Sequence, residues 1–485
     1  MTAFEELQAR LAELWPSIGN PTDEDKTMVV VPSLSVDLPP EVRPLLAAYE
    51  ERFLFLLLLL AQPRARVIYV SSQPVLDRVV SYYLSLMPGL DSPATRRRLA
   101  FVSLGDSTLG PLTQKLLSRP RAVDRVRRLI PDHDRAHLVT FNTTHLEEEL
   151  AVRLGIPVYG AAPSLASFGT KSGARALFEE EGVPHPEGFR VRTRDDLVAG
   201  IDRLRSNGNV SQVMVKLDEG IGGLGNAVLT LDPKASLDDL LAHMQLEGGD
   251  VPRFLDVLEL QGGVVETRIT GTEIRSPSVQ MRIAPGGDVE LLSTHDQVLG
   301  GPTGQAFFGS RFPADPAYAP EIAAHAEKVA ARLAREGVIG RFAIDFVVVA
   351  NDRGGWNAFA IEINLRKGGT THPFLTLQFL TGGTYLATKS RFECSTGPKH
   401  YVASDHLEGP GFSSLTPDDL LDLAGEGPLA WDSVREEGVV LHMISALPVA
   451  GRVGLTAIGE TPLRAEEIFR AAEDALASAA RDHFR

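Results

Sequence analysis

Cysteine and positive charge are both scarce in this sequence. Its 485 residues include 1 Cys and carry a formal net charge of −15 at pH 7. The single thiol, Cys394, excludes an internal disulfide framework and leaves no cysteine pair for a zinc site, so the chain suits a reducing, cytoplasmic environment. Because nucleic acids and acidic membranes are held by basic surfaces, the negative charge argues against both as partners.

The sequence also lacks an apolar run long enough to cross a bilayer. Its most apolar stretch, residues 53–60, is closed by Arg52 on one side and by Arg64 shortly after the other. Since about 20 apolar residues are needed to span a bilayer, we expect a buried helix here. Residues 1–16 are acidic and amphipathic, unlike a signal peptide.

Positive charge is concentrated in one stretch, residues 96–128. The stretch is rich in arginine, but apolar residues such as Leu99 and Phe101 interrupt it. This pattern favours a solvated helix face, and a patch for an anionic substrate is the alternative.

The length of the chain predicts roughly two to four domains. Strand-like apolar runs at residues 28–31, 67–71, 99–103 and 138–141 alternate with helical patterns. This alternation predicts a mostly parallel α/β sheet in the first part of the chain. Because no GxGxxG fingerprint accompanies the runs, we do not expect a nucleotide site there.

A different pattern begins near residue 160. Strand patterns joined by short turns alternate with fewer helices, and a small α+β tail ends in a helix over residues 465–480. We therefore expect an α/β and α+β multidomain protein. Its predicted parts are an N-terminal α/β domain (1–160), a central domain (161–395) and a C-terminal α+β segment (396–485).

A lysine precedes a glycine-rich turn at residues 216–226. Lys216 ends an apolar strand, and Gly222, Gly223 and Gly225 follow within the turn. Glycines let backbone N–H groups approach phosphate oxygens, and the ammonium group neutralises their charge. The motif is not a Walker A loop, because the lysine precedes the glycines. A tight hairpin with a solvent-exposed lysine is the alternative.

Three oxygen donors lie on two neighbouring predicted strands. Alternation places Glu362 and Asn364 on one strand face, and a hairpin brings Asp345 beside them. Hard oxygen ligands on rigid strands suit Mg²⁺, which binds a few protein groups and completes its shell with water and phosphate. A solvated sheet face is the alternative, but the apolar neighbours of these residues favour the metal site.

Charged residues also flank two further turns. Arg366 and Lys367, followed by two glycines and two threonines, form a cradle suited to a transferring phosphoryl group. Glu266 and Glu273 surround the turn at Gly271 with the spacing to accept from a nucleobase amine and a ribose hydroxyl. An ordinary charged hairpin is the alternative for this second pair.

Taken in order, these motifs resemble the ATP-grasp superfamily over roughly residues 160–380. The resemblance implies two α+β subdomains that clasp ATP, preceded by a pre-ATP-grasp domain, with ATP and Mg²⁺ as cofactors. It implies these site residues: Lys171, Lys216, Gly222, Gly223 and Gly225 at the phosphates, Glu266 and Glu273 at the nucleoside, Asp345, Glu362 and Asn364 at Mg²⁺, and Arg366 at the reacting phosphoryl group.

Two positions complicate this resemblance. Glu259 competes with Glu266 for the acid at the adenine. Many family members carry an arginine two residues before the metal-binding aspartate, whereas this chain has Ala343 there. Arg341 or Arg366 would then supply the missing cation.

Residues 276–280, 293–301 and 362–373 are similar to the peptide ligases of the pheganomycin type. That resemblance implies a ligase that joins a carboxylate to an amine through an acyl phosphate and releases ADP and phosphate. The substrate candidates are His295, Asp296, Gln297, Arg341 and Lys367, and a structural His–Asp pair is the alternative for the first two.

Other functions remain open at this stage. One is an ATP-grasp ligase of another substrate class, similar to D-alanine–D-alanine ligases or to carboxylases. Another is a non-catalytic sensor that binds ATP. The expected partners are a small-molecule acid and an amine or peptide, and a homo-oligomer is compatible with the sequence.

Overall fold

The computed structural model describes residues 2–19, 24–36, 43–206, 210–220, 225–232, 234–246, 249–301, 304–425 and 427–482. No helix in these ranges is both long enough and apolar enough to cross a membrane.

The N-terminal part of the chain forms a parallel sheet with helices on its faces. Its elements are α1 (Ala3–Ala9), α2 (Leu11–Gly19), β1 (Lys26–Val31), α3 (Leu46–Glu51), β2 (Ala65–Ser71), α4 (Asp77–Ser85), α5 (Pro93–Arg96), β3 (Leu99–Ser103), α6 (Leu112–Leu117), α7 (Pro120–Leu129), β4 (Ala136–Thr140) and α8 (His145–Leu154). The strand order is β3-β2-β1-β4, and every pairing is parallel. Strands β1 and β4 are buried along their whole length, which explains their continuous apolar runs. The predicted parallel sheet is confirmed.

The apolar run at residues 53–60 is buried, but its helix is not an α-helix. Leu54–Ala61 forms a 3₁₀ helix. Its leucines pack into a core that also includes Phe374, Val439 and Leu455 from the C-terminal half of the chain. Burial on several sides explains why the run is apolar throughout rather than amphipathic.

The next part of the chain forms an antiparallel sheet. Its elements are α9 (Lys171–Glu180), β5 (Gly188–Val191), α10 (Arg194–Ser206), β6 (Gln212–Leu217), β7 (Asn226–Thr230), α11 (Leu237–Ala242), β8 (Gln245–Leu246), α12 (Val251–Gln261) and β9 (Gly263–Thr267). The strand order is β5-β9-β6-β7-β8. Helix α11 ends at Ala242, and Gln245 and Leu246 pair with β7.

A second antiparallel sheet carries most of the predicted site. Its part of the chain contains β10 (Ile274–Arg275), β11 (Pro277–Ile283), β12 (Val289–Gly300), β13 (Ala306–Phe312), α13 (Ala319–Arg335), β14 (Gly340–Ala350), β15 (Trp356–Asn364) and α14 (Thr371–Thr381). Strand β14 pairs with β10, β11 and β15. Phe342, Ile344 and Phe346 of β14 share a core with residues of α13. The alternate residues Arg341, Ala343 and Asp345 therefore face the other side of the sheet.

The C-terminal part extends the same sheet. It contains β16 (Thr384–Leu386), β17 (Arg391–Cys394), β18 (Gly397–Pro398), β19 (His400–Glu408), α15 (Pro417–Gly425), β20 (Trp431–Asp432), β21 (Glu437–His442), α16 (Leu447–Ala450), β22 (Arg452–Gly459) and α17 (Pro462–Asp482). The strand order continues from β13 through β19-β22-β21-β20. The sheet is thus continuous across residue 395, where the sequence suggested a division. The α/β and α+β character of the whole chain is confirmed.

Candidate active site

The β14–β15 hairpin brings the three predicted metal ligands together. Asp345 lies opposite Glu362, and Ala343 lies opposite Asn364. The Asn364 Nδ2 atom donates to Asp345 Oδ2 at 3.0 Å and to Glu362 Oε1 at 2.9 Å. The two carboxylates and the amide therefore form one cluster on the face opposite α13.

The electrostatics of this cluster favour a bound cation. Burial and, to a smaller extent, the neighbouring Glu362 carboxylate raise the pKa of Asp345 to about 7. Two buried carboxylates in contact resist simultaneous ionisation unless positive charge lies between or beside them. Lys171, at the start of α9, supplies one such charge through an ion pair with Glu362.

A previously unrecognised residue, Asp218, positions Lys171. The Asp218 carboxylate accepts from the backbone N–H of Ser172 at 2.8 Å and from its hydroxyl at 2.7 Å. The Asp218 carbonyl accepts from the Lys171 N–H at 3.3 Å. This residue follows β6 at the start of the glycine-rich turn, so it ties that turn to the first turn of α9. The sequence signal was the acidic residue two positions after Lys216.

The second predicted phosphate-binding lysine is also paired with a carboxylate. Lys216 on β6 and Glu266 on β9 are buried and form an ion pair. The Arg175 Nη1 atom lies 3.7 Å from the other Glu266 oxygen. The family resemblance assigned Glu266 to the adenine. In the structure, Glu266 lies near the end of β9, between Lys216 and Arg175.

The glycine-rich turn is described at its end. Gly225 has φ +86°, a conformation that favours glycine, and its carbonyl accepts from the Leu217 N–H at 2.9 Å. Gly222 and Gly223 lie outside the described residues. The described part is a β-hairpin connection between β6 and β7.

The turn after β15 contacts the N-terminal sheet. Lys367 is buried, its Nζ atom donates to the Thr140 carbonyl at 2.6 Å, and its backbone N–H donates to the Phe141 carbonyl at 3.1 Å. The Arg366 guanidinium carbon lies 5.5 Å from the centre of the Phe141 ring. Burial lowers the pKa of Arg366, and the Glu362 and Asp345 carboxylates oppose that shift. Arg366 therefore lies beside the carboxylate cluster, at the carboxyl end of β4.

A buried network that the sequence did not reveal lies on the other side of Phe141. Arg52 lies 5.7 Å from the Phe141 ring centre and pairs with Asp405 at 2.9 Å. The Nε2 atoms of His442 and His372 lie 2.7 Å and 3.2 Å from the other Asp405 oxygen. Because Arg52 and Asp405 are 353 positions apart, no local pattern could have linked them. The three acidic and imidazole side chains are close enough to share a metal ion, but Arg52 already balances Asp405.

Four other predicted residues make their contacts outside the carboxylate cluster. Glu273 is on the surface, where it pairs with Arg275 at 2.6 Å. The buried His295 ring contacts the Tyr401 hydroxyl at 2.8 Å, and burial lowers its pKa to about 3. Asp296 accepts from the Tyr318 hydroxyl at 2.7 Å and from the Asp315 N–H at 3.0 Å, bonds typical of a structural residue. Gln297 pairs through its backbone with β13.

Arg341 lies on the same strand face as Asp345, four residues earlier. Burial lowers the pKa of Arg341 to about 10, the Tyr159 hydroxyl partly offsets this, and Arg282 adds to it. The position of the missing family arginine, Ala343, lies between Arg341 and Asp345 and is buried. Arg366 thus lies beside the carboxylate cluster, as Lys171 does, and Arg341 lies further along the strand.

Comparisons with known proteins agree with this fold. A family model described as IQCH-like ATP-grasp matches residues 250–386, and one described as the PGM1 C-terminal domain matches residues 419–472. Biotin carboxylase from Campylobacter jejuni has a similar structure, with a TM-score of 0.56, 13% identity, and 95% of this chain and 96% of that chain covered. N5-carboxyaminoimidazole synthetase from Staphylococcus aureus is also similar, with a TM-score of 0.53 and 12% identity. The match covers 94% of this chain and 98% of that chain. The chain therefore has an ATP-grasp fold.

Proteins related in sequence show to which group of ATP-grasp proteins the chain belongs. The L-propargylglycine–L-glutamate ligase of Streptantibioticus cattleyicolor is 31% identical over 464 residues, with 93% of this chain and 94% of that protein covered. IQ motif-containing protein H of Danio rerio is 24% identical, with 79% of this chain but 41% of that protein covered. The chain belongs to the ATP-grasp ligases that form peptide bonds. It is an enzyme that uses ATP to join a carboxylate to an amine, and its substrates are small molecules.

Proposed function

We propose that this chain activates the carboxylate of one amino acid or peptide as an acyl phosphate and couples it to the amine of another. ADP and phosphate are the other products. The observation that carries this proposal is the half-buried cluster of Asp345, Glu362 and Asn364 beside Lys171 and Arg366. It combines oxygen donors and cations, which are the groups that phosphoryl transfer requires.

The cluster fits Mg²⁺ on its own chemistry. Asp345 and Glu362 face each other, and burial together with the Glu362 charge raises the pKa of Asp345, so a divalent cation between them would favour the ionised form of both. Asn364 already bridges both carboxylates and can turn its amide oxygen toward a metal. When bound there, Mg²⁺ supplies neutralisation of the phosphate charge.

The remaining site residues are assigned by their resemblance to the family's motifs. Lys171 and Lys216 would exchange their ion pairs with Glu362 and Glu266 for contacts to the ATP phosphates. The turn containing Gly222, Gly223 and Gly225 would cover those phosphates. Glu266 and Glu273 would contact the nucleoside.

The chemistry then follows from positioning. A carboxylate oxygen of the acid attacks the γ-phosphorus of ATP, the bond from that phosphorus to the bridging oxygen breaks, and ADP leaves. Arg366 offsets the negative charge that develops on the transferring group. The amine then attacks the acyl carbon, phosphate leaves, and the ammonium proton passes to solvent or phosphate. Packing of Arg366 on Phe141 at the carboxyl end of β4 shields this region from water.

Amino acids are the substrate class that the relatives support. The bacterial relative's name gives L-propargylglycine and L-glutamate as its substrates. We infer that this chain joins two amino acids or an amino acid and a peptide, in the cytoplasm, and that Arg341 and Lys367 contact substrate. The three-part division at residues 160 and 395 is also part of this proposal.

The test is acid-dependent release of ADP with hydroxylamine as the trapping amine. Purified enzyme is incubated with ATP, Mg²⁺ and single amino acids, beginning with L-glutamate, and both ADP and hydroxamate are measured. Equal amounts of both are expected for the acid substrate, and chelation with EDTA should stop their formation. Release of AMP and pyrophosphate would overturn the acyl-phosphate route.

A further inference from the structure

Two cations on this side of the sheet, the half-buried Arg341 and the buried Lys367, have no carboxylate partner. In the part of the chain that the structure describes, no carboxylate oxygen lies within 4.0 Å of the Arg341 guanidinium or the Lys367 ammonium group. Lys367 is 8% exposed. Burial and, to a smaller extent, the charge of Arg341 lower the pKa of Lys367 to about 7. The Lys367 Nζ atom donates to the carbonyl of Thr140 on β4, and the Tyr159 N–H donates to the carbonyl of Leu138 on the same strand at 3.0 Å, so Lys367 lies close to the segment that contains Tyr159.

A buried tyrosine hydroxyl lies at the same place. Tyr159 is 7% exposed, and its hydroxyl makes no hydrogen bond of ideal geometry in the described structure. Arg341, Arg282 and Glu290 are its charged neighbours, and Arg282 is the one nearest to bonding the hydroxyl. Two backbone segments approach each other closely here, since a Cβ added at Gly340 would lie 2.9 Å from the Gly160 Cα atom.

One carboxylate does lie nearby, but it is already engaged. Glu290 accepts from Arg282 Nε at 2.8 Å, and its side chain is 51% exposed. Arg282 also lies 5.0 Å above the Trp15 ring. The surroundings of Arg341 and Lys367 thus contain more positive than negative charge.

Unpaired buried cations are costly, and a bound anion offsets that cost. A guanidinium and an ammonium group desolvated together lose hydration and repel each other. A carboxylate between them would accept from both and from the Tyr159 hydroxyl, giving short charge-assisted hydrogen bonds. Other buried cations of this site, Lys171 and Lys216, already have acidic partners.

The location relates this anion site to the reacting centre. Arg341 precedes Asp345 by four residues on the same strand face, which corresponds to about 13 Å along the strand. An extended arginine or lysine side chain shortens that distance by several ångströms. A carboxylate held here therefore belongs to a part of the substrate away from the bond that is made.

We propose that Arg341, Lys367 and Tyr159 form a subsite for a second, unreactive carboxylate of an amino-acid substrate. This inference rests on the proposed ligase function. Two carboxylates have the required chemistry, the α-carboxylate of an acid activated at its side chain and the α-carboxylate of the amino acid that supplies the amine.

The experiment compares each amino-acid substrate with an analogue in which its α-carboxylate is replaced by an amide. In the acid arm, L-glutamate and its α-amide are assayed with hydroxylamine. In the amine arm, L-propargylglycine and its amide are assayed with saturating L-glutamate. Wild type and Arg341→Met, Lys367→Met and Tyr159→Phe are compared, with Arg341→Lys as the conservative variant and Arg311→Met as the matched control. Arg311 lies on the same sheet and pairs with Glu466 on the surface.

We expect wild type to prefer the carboxylate over the amide strongly in one arm, and that arm identifies the source of the carboxylate. Arg341→Met should raise the KM of that substrate by about 100-fold, reduce the preference to near one, and leave the KM of ATP unchanged. Arg341→Lys should recover part of the preference, and Arg311→Met should retain all of it. If Arg341→Met keeps the wild-type preference in both arms, the subsite does not exist.

Absence of the carboxylate subsite can be distinguished from absence of the proposed ligase activity. If wild type releases no ADP with any acid, the ligase proposal itself is wrong. If wild type forms hydroxamate but has no carboxylate preference in either arm, the ligase stands and the subsite is overturned. Should Arg341→Met fail to fold, the Tyr159→Phe and Lys367→Met variants give the same ratio test.

Discussion

Two regions of this chain are rich in cations, and the structure uses them in different ways. In the arginine-rich stretch 96–128, Arg96 lies 2.6 Å from Asp91 and 2.7 Å from Asp77. Arg98 donates to the backbone carbonyls of Leu60, Gln62 and Ala65. These side chains are held by the protein itself, and such surface contacts contribute little to stability or recognition.

The second region, the junction of β14 and the turn after β15 with the N-terminal sheet, has fewer cations but leaves them unpaired. Arg341, Arg366 and Lys367 are half-buried or buried, and none forms an ion pair with a carboxylate among the described residues. The difference teaches that a local density of arginines is a poor guide to ligand binding. A buried cation that the protein leaves without a partner is a better one, since its desolvation must be offset by something that binds.

The largest effect is expected at the carboxylate cluster beside this junction. Glu362→Gln removes one charge from the cluster and should lower kcat for ADP release by at least about 10³-fold, which corresponds to about 4 kcal/mol of transition-state stabilisation. The fold should persist, because glutamine keeps the size of the side chain and its bond from Asn364. Turnover in excess Mg²⁺ and the circular dichroism spectrum are the measurements.

The matched control for this prediction is an exposed acid that pairs with a surface arginine. Glu393→Gln, on β17, breaks the contact with Arg391 and should retain wild-type turnover. Equal turnover by Glu362→Gln and Glu393→Gln would show that the carboxylate cluster contributes no more to catalysis than a surface ion pair does.

An intermediate effect is expected where the arginine-rich stretch contains a buried cation of its own. Lys115 Nζ donates to the Ser72 hydroxyl at 3.2 Å, and that hydroxyl donates to Glu50 at 2.6 Å. Burial raises the pKa of Glu50 to about 7, although hydrogen bonds from Ser72 and the charge of Lys115 oppose the shift. Here the Ser72 hydroxyl links the lysine to a buried carboxyl group, a link that Arg341 and Lys367 do not have among the described residues.

The sign of the resulting pH dependence follows from the raised pKa. The folded state holds a proton on Glu50 that the unfolded state releases above its ordinary pKa of 4.5. The stabilisation is therefore complete below pH 4.5 and is lost as the pH rises through 7, by at most about 3 kcal/mol. Urea unfolding of wild type and Glu50→Gln at pH 5 and pH 8 should show a smaller loss in the variant.

The control for the titration is Glu6→Gln, an exposed acid on α1. It should lose as much stability between the two pH values as wild type does. If Glu50→Gln also shows the wild-type loss, Glu50 is ionised in the folded protein and its pairing with Lys115 is stronger than its burial suggests.

The sequence was informative where a short pattern determines the structure. Fully buried parallel strands such as β1 produce continuous apolar runs, and the 2-residue alternation of β15 places Glu362 and Asn364 on one face. These patterns are local, so the parallel sheet and the carboxylate cluster could both be predicted.

Contacts between distant parts of the chain could not be predicted in this way. The pairing of Arg52 with Asp405, the packing of residues 54–61 against the C-terminal core, and the contact of Lys367 with Thr140 join segments far apart in sequence. His295 and Asp296 are substrate candidates through the resemblance of residues 293–301 to the pheganomycin-type ligases, with a structural pair as the alternative. Their buried bonds to Tyr401 and Tyr318 depend on neighbours that only the fold supplies.

The smallest effect is expected for the exposed arginines of α7, and it completes the comparison of the two regions. Arg121, Arg125 and Arg127 are exposed, while Val123 and Val126 of the same helix are buried in the N-terminal core. That is the arrangement of a solvated helix face, in which each charge remains hydrated and has no desolvation to offset. Replacing all three by Gln should therefore leave the KM of the acid, the amine and ATP within about twofold of wild type, when measured in the ADP-release assay beside Arg341→Met. A tenfold rise in the KM of either amino acid would instead show that this helix face is the substrate patch that the arginine-rich sequence offered as an alternative. Exposed charge, rather than buried unpaired charge, would then be the better guide to where this enzyme holds its substrate.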